Sequence, residues 1–128
     1  MSNDLLSDSL VTIRNATLSS KSECVVPASR LIGEALRLMR EKGYVSEFEH
    51  IDDKRGGKFN VNLTGQINSC GAIKPRFSVK MRDMERYESR YLPAKDFGII
   101  IVSTPSGVMT HKQAKEALTG GKLIAYIY

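Results

Sequence analysis

The sequence predicts an α+β protein made of two small α/β-layer subdomains, an N-terminal helix-strand-helix-hairpin and a C-terminal part that is mainly β with one short helix. Three observations carry this prediction. Apolar residues recur at helical spacing early in the chain, alternating or continuous apolar runs dominate later, and the polar stretch bracketed by Gly65 and Gly71 marks a shift in composition between them. The expected division is therefore residues 1–64 and 65–128. With 128 residues, 41% of them hydrophobic, the chain can bury one core or two small ones.

Leu6, Leu10 and Ile13 share one face of a first helix, with Asp4 placed as its N-cap. Residues 23–27 (Glu-Cys-Val-Val-Pro) read as a short strand ended by proline. The second helix is the plainest element: Ser29 caps it, Ile32, Ala35, Leu36 and Met39 form its stripe, and Gly43 suits the left-handed position beyond its end. Arg30 with Glu34 and Arg37 with Glu41 are spaced for a salt-bridged outer face. A hairpin follows, from Tyr44 to Ile51 and from Lys58 to Leu63, turning over Asp52 to Gly57, with Phe59, Val61 and Leu63 on its apolar face. Beyond Gly65, Ile73, Phe77 and Val79 suggest an extended piece bent at Pro75. Met81 to Asp96 reads as a charged surface excursion. Phe97 to Val102 is apolar on both faces and hence a central strand. A short helix over 111–118 has Thr110 and Gln113 spaced as a capping box, and Lys122 to Tyr128 is a closing strand.

Charge separates the two halves. Nine basic and nine acidic residues cancel up to residue 65, whereas ten basic residues face five acidic ones beyond it, so the whole net charge of +5 lies in the C-terminal half. That favours a polyanionic partner there. Cys24 and Cys70 stand 46 positions apart and read as small core residues of a cytosolic, thiol-reduced protein. No signal-peptide pattern opens the chain and no apolar run is long enough to span a bilayer, which predicts a cytoplasmic protein without membrane association.

The segment Ser103-Thr104-Pro105-Ser106-Gly107-Val108-Met109-Thr110 leaves a buried strand and runs into a helix start. Four hydroxyls within eight residues, on a turn stiffened by proline and glycine, suit phosphate, ribose or a base edge, and the helix N-terminus is expected to add an anion site. Ordinary turn residues capping their own backbone are the competing reading. Gly120 and Gly121 would admit a close-lying RNA backbone, or simply a helix-to-strand turn. Arg82, Arg86 and Arg90 are spaced for one basic stripe if their segment is helical, with Tyr87 and Tyr91 beside it, although Glu85 and Glu88 also suit a solvated segment. His111 lies near Ser103, Ser106 and Thr110, but no nucleophile elbow, carboxylate orienter, metal-ligand cluster or phosphate-loop signature accompanies it. Neither catalysis nor a cofactor is expected. A small enzyme that binds a phosphate ligand through the same loop is the alternative from another class.

Several stretches carry a resemblance: Lys-Gly-Tyr-Val-Ser-Glu-Phe-Glu from Lys42, Val-Asn-Leu-Thr-Gly from Val61, Asn-Ser-Cys-Gly-Ala-Ile-Lys-Pro-Arg-Phe from Asn68, Tyr-Leu-Pro-Ala-Lys-Asp-Phe-Gly from Tyr91, Ser103 to Thr110, and Thr119-Gly-Gly-Lys122. In order and without large gaps, the chain resembles the universal protein eight family of the small ribosomal subunit, in its archaeal and eukaryotic form. The resemblance implies a two-domain, non-enzymatic protein, monomeric when free, that binds the central domain of small-subunit ribosomal RNA (rRNA) early in assembly and sits among neighbouring small-subunit proteins. It assigns the main RNA contacts to Ser103, Thr104, Ser106, Gly107, Thr110, Gly120 and Gly121, with Lys112 and Lys122 as phosphate neighbours. Secondary contacts fall on Asp4, Arg14, Arg86, Arg90 and Tyr91. It also implies translational repression through messenger RNA in some relatives. Two positions depart from the family pattern: Pro105 replaces a hydroxyl residue, and Leu5 stands where proline is common.

Overall fold

The computed structural model describes residues 5–94 and 97–128, so the proposed cap Asp4 lies outside the described residues. The chain separates into two compact units, residues 1–69 and 70–128.

In the first unit, α1 (Leu5–Leu18) buries Leu6, Leu10 and Ile13, as their spacing predicts. It packs against β1 (Glu23–Pro27) and touches α2 (Arg30–Glu41), which in turn covers β2 (Val45–Ile51). The Ser29 side chain accepts from the Ile32 amide at 3.1 Å, and Gly43 ends the helix region at φ +84°. Together with β3 (Lys58–Leu63) the strands form an antiparallel sheet in the order β1-β3-β2. The outer face of α2 is arranged around one arginine: Arg37 reaches both Glu34 (2.9 Å) and Glu41 (3.1 Å), so Glu34 pairs with Arg37 rather than with Arg30. Cys24 is only half-buried in β1, in contrast to the core position expected for it. Burial raises its thiol above the ordinary range despite the nearby Lys21.

The second unit is built on β8 (Gly121–Ile127), which pairs with β4 (Cys70–Ala72) and β5 (Ser78–Val79) on one side and with β6 (Ile99–Thr104) on the other. β6 starts at Ile99, two residues later than its apolar run, because Gly98 takes φ +93°, and it extends to Thr104. Beyond it, β7 (Gly107–Thr110) pairs with β6 as a hairpin. The expected turn over 103–110 is thus the tip of a hairpin, and the sequence reading did not include this strand. Its Val108 and Met109 are half-buried, a face hidden in sequence by the turn-forming residues before it.

The segment expected to be a surface excursion is a helical turn, Met81–Asp83, continuing into α3 (Met84–Tyr91). Met84 is fully buried and Glu88 nearly so. The core joins Met84 and Leu92 to Ile73, Val79, Ile100, Val102, Leu123 and Ala114 of α4 (His111–Glu116). Burying each of the larger apolar side chains contributes about 1.5–3 kcal/mol.

A register shift between Ile101 and Val102 inserts Ile124 as an extra residue in β8. Its carbonyl accepts from the Ile73 amide at 2.9 Å, so the bulge leaves no orphan acceptor there. Past this bulge β8 aligns Lys122 with Ser103.

Candidate RNA interface

The β6–β7 hairpin turns over Pro105 and Ser106, between paired Thr104 and Gly107. Proline holds its φ near −65°. Gly107, at φ +120°, occupies a conformation that other residues rarely adopt, with open space where a Cβ would stand. The turn is tied internally: Thr104 Oγ1 accepts from the Ser106 amide (3.1 Å) and donates to the Gly107 carbonyl (2.8 Å).

The four hydroxyls of this segment therefore divide. Thr104 is buried and holds the turn. Thr110 is buried and caps α4, accepting from the Gln113 amide at 3.2 Å while the Gln113 side chain accepts from the Thr110 amide at 3.0 Å. Ser106 is exposed and Ser103 half-buried, and these two face outward from the framework that the threonines build. The capping box engages the amides of Thr110 and Gln113 at the start of this six-residue helix, where the sequence predicts an anion site.

Lys122 is exposed beside Ser103 in the ladder. The two glycines before it serve the protein's own packing. A Cβ on Gly121 would stand 2.4 Å from the Ser103 carbonyl oxygen, and one on Gly120 would stand 2.3 Å from that of Val79. Both positions thus require glycine for strand approach, a signal the pair alone could not assign. Lys112 lies in the first turn of α4, half-buried. The structure thereby brings Ser103, Thr104, Ser106, Gly107, Gly121 and Lys122 to one end of the sheet, with Gly120 just before β8, whereas Thr110 pairs with Ile101 three positions away from the turn.

The secondary candidates are arranged differently. Arg86 and Arg90 lie exposed on α3, Arg86 loosely paired with Asp83 at 3.9 Å and Arg90 placed 5.7 Å from the centre of the Tyr91 ring. Tyr91 stacks at 5.8 Å on Tyr126, and Tyr87 packs on Phe77. Both tyrosines are thus rim residues of the core. Arg14 belongs to α1 in the other unit.

Sequence reasoning weighed His111 only as a base beside nearby hydroxyls and missed its place in the core. It is fully buried, and its Nδ1 accepts from the Ile100 amide at 3.0 Å. The proton must then reside on Nε2, which lies 3.8 Å from Glu88 Oε1, and Glu88 is also ion-paired with Lys115. Burial holds the imidazole below its usual pKa, outweighing the attraction of the Glu88 carboxylate. A catalytic base is a poor description of a ring enclosed in this way.

Comparison with known proteins decides the family. The model for Ribosomal protein S8 matches residues 4–128. The chain belongs to the ribosomal protein S8 family. It is 51% identical over 129 aligned positions to the small ribosomal subunit protein uS8 of Archaeoglobus fulgidus and 53% identical to that of Picrophilus torridus, each alignment covering all of both chains. Members of the S8 family are structural, non-enzymatic proteins of the small ribosomal subunit. Among the described residues, no helix is long and apolar enough to cross a membrane.

Proposed function

We propose that this chain binds the central domain of small-subunit rRNA through its C-terminal part, residues 65–128, and supports assembly of the subunit in the cytoplasm beside neighbouring small-subunit proteins. One observation carries the reading: the ladder sets the exposed cation Lys122 against Ser103 at the base of a hairpin whose tip exposes Ser106 and Gly107. Hydroxyls and a bare backbone suit the wide, shallow minor groove of A-form RNA, with its 2′-hydroxyls and base edges. The cations Lys112 and Lys122 supply attraction to phosphates, which positions the partner without reading sequence. Thr104, Thr110, Gly120 and Gly121 hold the shape of this surface. Arg86, Arg90 and Tyr91, with Arg14 and Asp4, extend the contact as secondary sites.

The test is equilibrium binding of the full chain to a central-domain rRNA fragment, an unrelated RNA hairpin and a DNA duplex across a salt series. The reading requires a preference for the fragment that survives at high salt. Weak and equal binding to all three, lost with salt, overturns it and turns attention to a small phosphate ligand.

A further inference from the structure

The β6–β7 ladder runs in a fixed register: Thr104 faces Gly107, Ser103 faces Val108, Val102 faces Met109 and Ile101 faces Thr110. In an antiparallel ladder, hydrogen-bonded pairs alternate with unbonded ones. A two-residue turn begins from a bonded pair, so Thr104 with Gly107 and Val102 with Met109 are bonded, and the next bonded pair would be Ile100 with His111. The backbone cannot make it, because Thr110 is already the N-cap of α4 and the chain turns away. The Ile100 amide donates instead to the ring of His111, whose Nδ1 stands 3.0 Å away in a fully buried position.

We propose that His111 is a positioning residue for RNA recognition: its imidazole replaces the missing rung of the ladder and so sets how the recognition hairpin leaves the sheet relative to α4. The inference rests on the hairpin's proposed role in RNA binding. Three elements meet at this ring. Ile100 of β6 donates to one nitrogen, Glu88 of α3 faces the other at 3.8 Å, and Lys115 of α4 pairs with the same carboxylate. A small change at the ring therefore moves the base of a two-residue turn whose outward groups, Ser103 and Ser106, lie only a few residues away. Hydrogen-bonded recognition is sensitive to such displacement, whereas phosphate attraction is not.

Two substitutions separate the acceptor from the bulk. In His111→Asn the amide oxygen occupies nearly the place of Nδ1 and keeps an acceptor for the Ile100 amide. In His111→Leu the volume is kept and the acceptor is lost. The full chain of each is measured for hydrogen exchange at the Ile100 amide and for its preference for the central-domain rRNA fragment over an unrelated hairpin at high salt. The expected result is that the leucine variant loses Ile100 protection and about tenfold of the preference, as one lost hydrogen bond warrants, while the asparagine variant keeps most of both. A folded leucine variant with undiminished preference overturns the proposal, as does an asparagine variant that retains Ile100 protection yet loses preference as leucine does. Should the leucine variant not fold, the asparagine variant decides: protection and preference kept together or lost together support the role, and either one lost without the other in a folded chain overturns it. If the native chain shows no preference for the fragment, the RNA reading fails, and exchange at Ile100 still decides whether the ring closes the hairpin.

Discussion

The two units solve the same problem of placing cations on an α+β surface in opposite ways. The first unit has nine basic and nine acidic residues, and two of its arginines are engaged locally: Arg37 sits between two glutamates, and Arg40 contacts Glu47 (3.8 Å) and lies over the Phe48 ring (5.0 Å). In the second unit the acids are half as many as the bases, and one of them, Glu88, is buried with His111 and Lys115. The difference teaches that net charge alone does not mark a binding face. What matters is which cations stand exposed next to groups that can read a partner.

The largest expected effect tests whether α3 belongs to the second core. Met84→Ala should destabilise the protein by about 2–5 kcal/mol, because a fully buried methionine leaves a cavity. A surface excursion would lose no more than about 0.5 kcal/mol, and denaturant unfolding with a probe in each unit distinguishes the two. Gly121→Ala comes next. Its Cβ would collide with the Ser103 carbonyl, so a loss of about 1–3 kcal/mol should accompany weakened RNA preference, since the clash falls in the paired strands that carry Ser103 and Lys122.

A pH series sharpens the contrast further. The folded-state pKa of His111 lies below its ordinary value of 6.5, so between the two values the unfolded chain binds more protons. The contribution is complete above the ordinary value and is lost as pH falls towards the folded one. Probes of the second unit should therefore report declining stability below pH 6.5, and His111→Asn should remove that part of the decline. The smallest effects concern surface charge. Lys122→Gln should flatten the salt dependence of RNA binding by about one unit of slope, whereas Arg37→Gln should leave that slope unchanged and cost at most about 1 kcal/mol of stability.

Elements with local punctuation were legible from the sequence: Ser29 and Gly43 bound α2, and Thr110 with Gln113 start α4. β6 was visible because both its faces are apolar. What escaped the reading depends on partners distant in sequence. α3 buries mainly Met84 and Glu88, too few positions to outweigh its charges, and β7 becomes a strand only through pairing with β6. The hydroxyl segment was located correctly as a place in the fold, but the inward turn of Thr104 and Thr110 follows from strand register. For the same reason the glycines at 120 and 121 fitted either an approaching RNA backbone or a plain helix-to-strand turn in sequence, and the structure shows that they admit the protein's own carbonyls.

The account turns on the outward hydroxyl at the hairpin tip, and the most direct test compares the native chain with Ser106→Ala in binding a central-domain rRNA fragment and a mismatched version at high salt. Ser106 is exposed, so its hydroxyl can be removed without opening the core. The predicted result is a loss of about 1–2 kcal/mol for the matched RNA, little change for the mismatched one and an unaltered melting temperature. Equal losses for both RNAs would contradict the claim that this hairpin reads its partner.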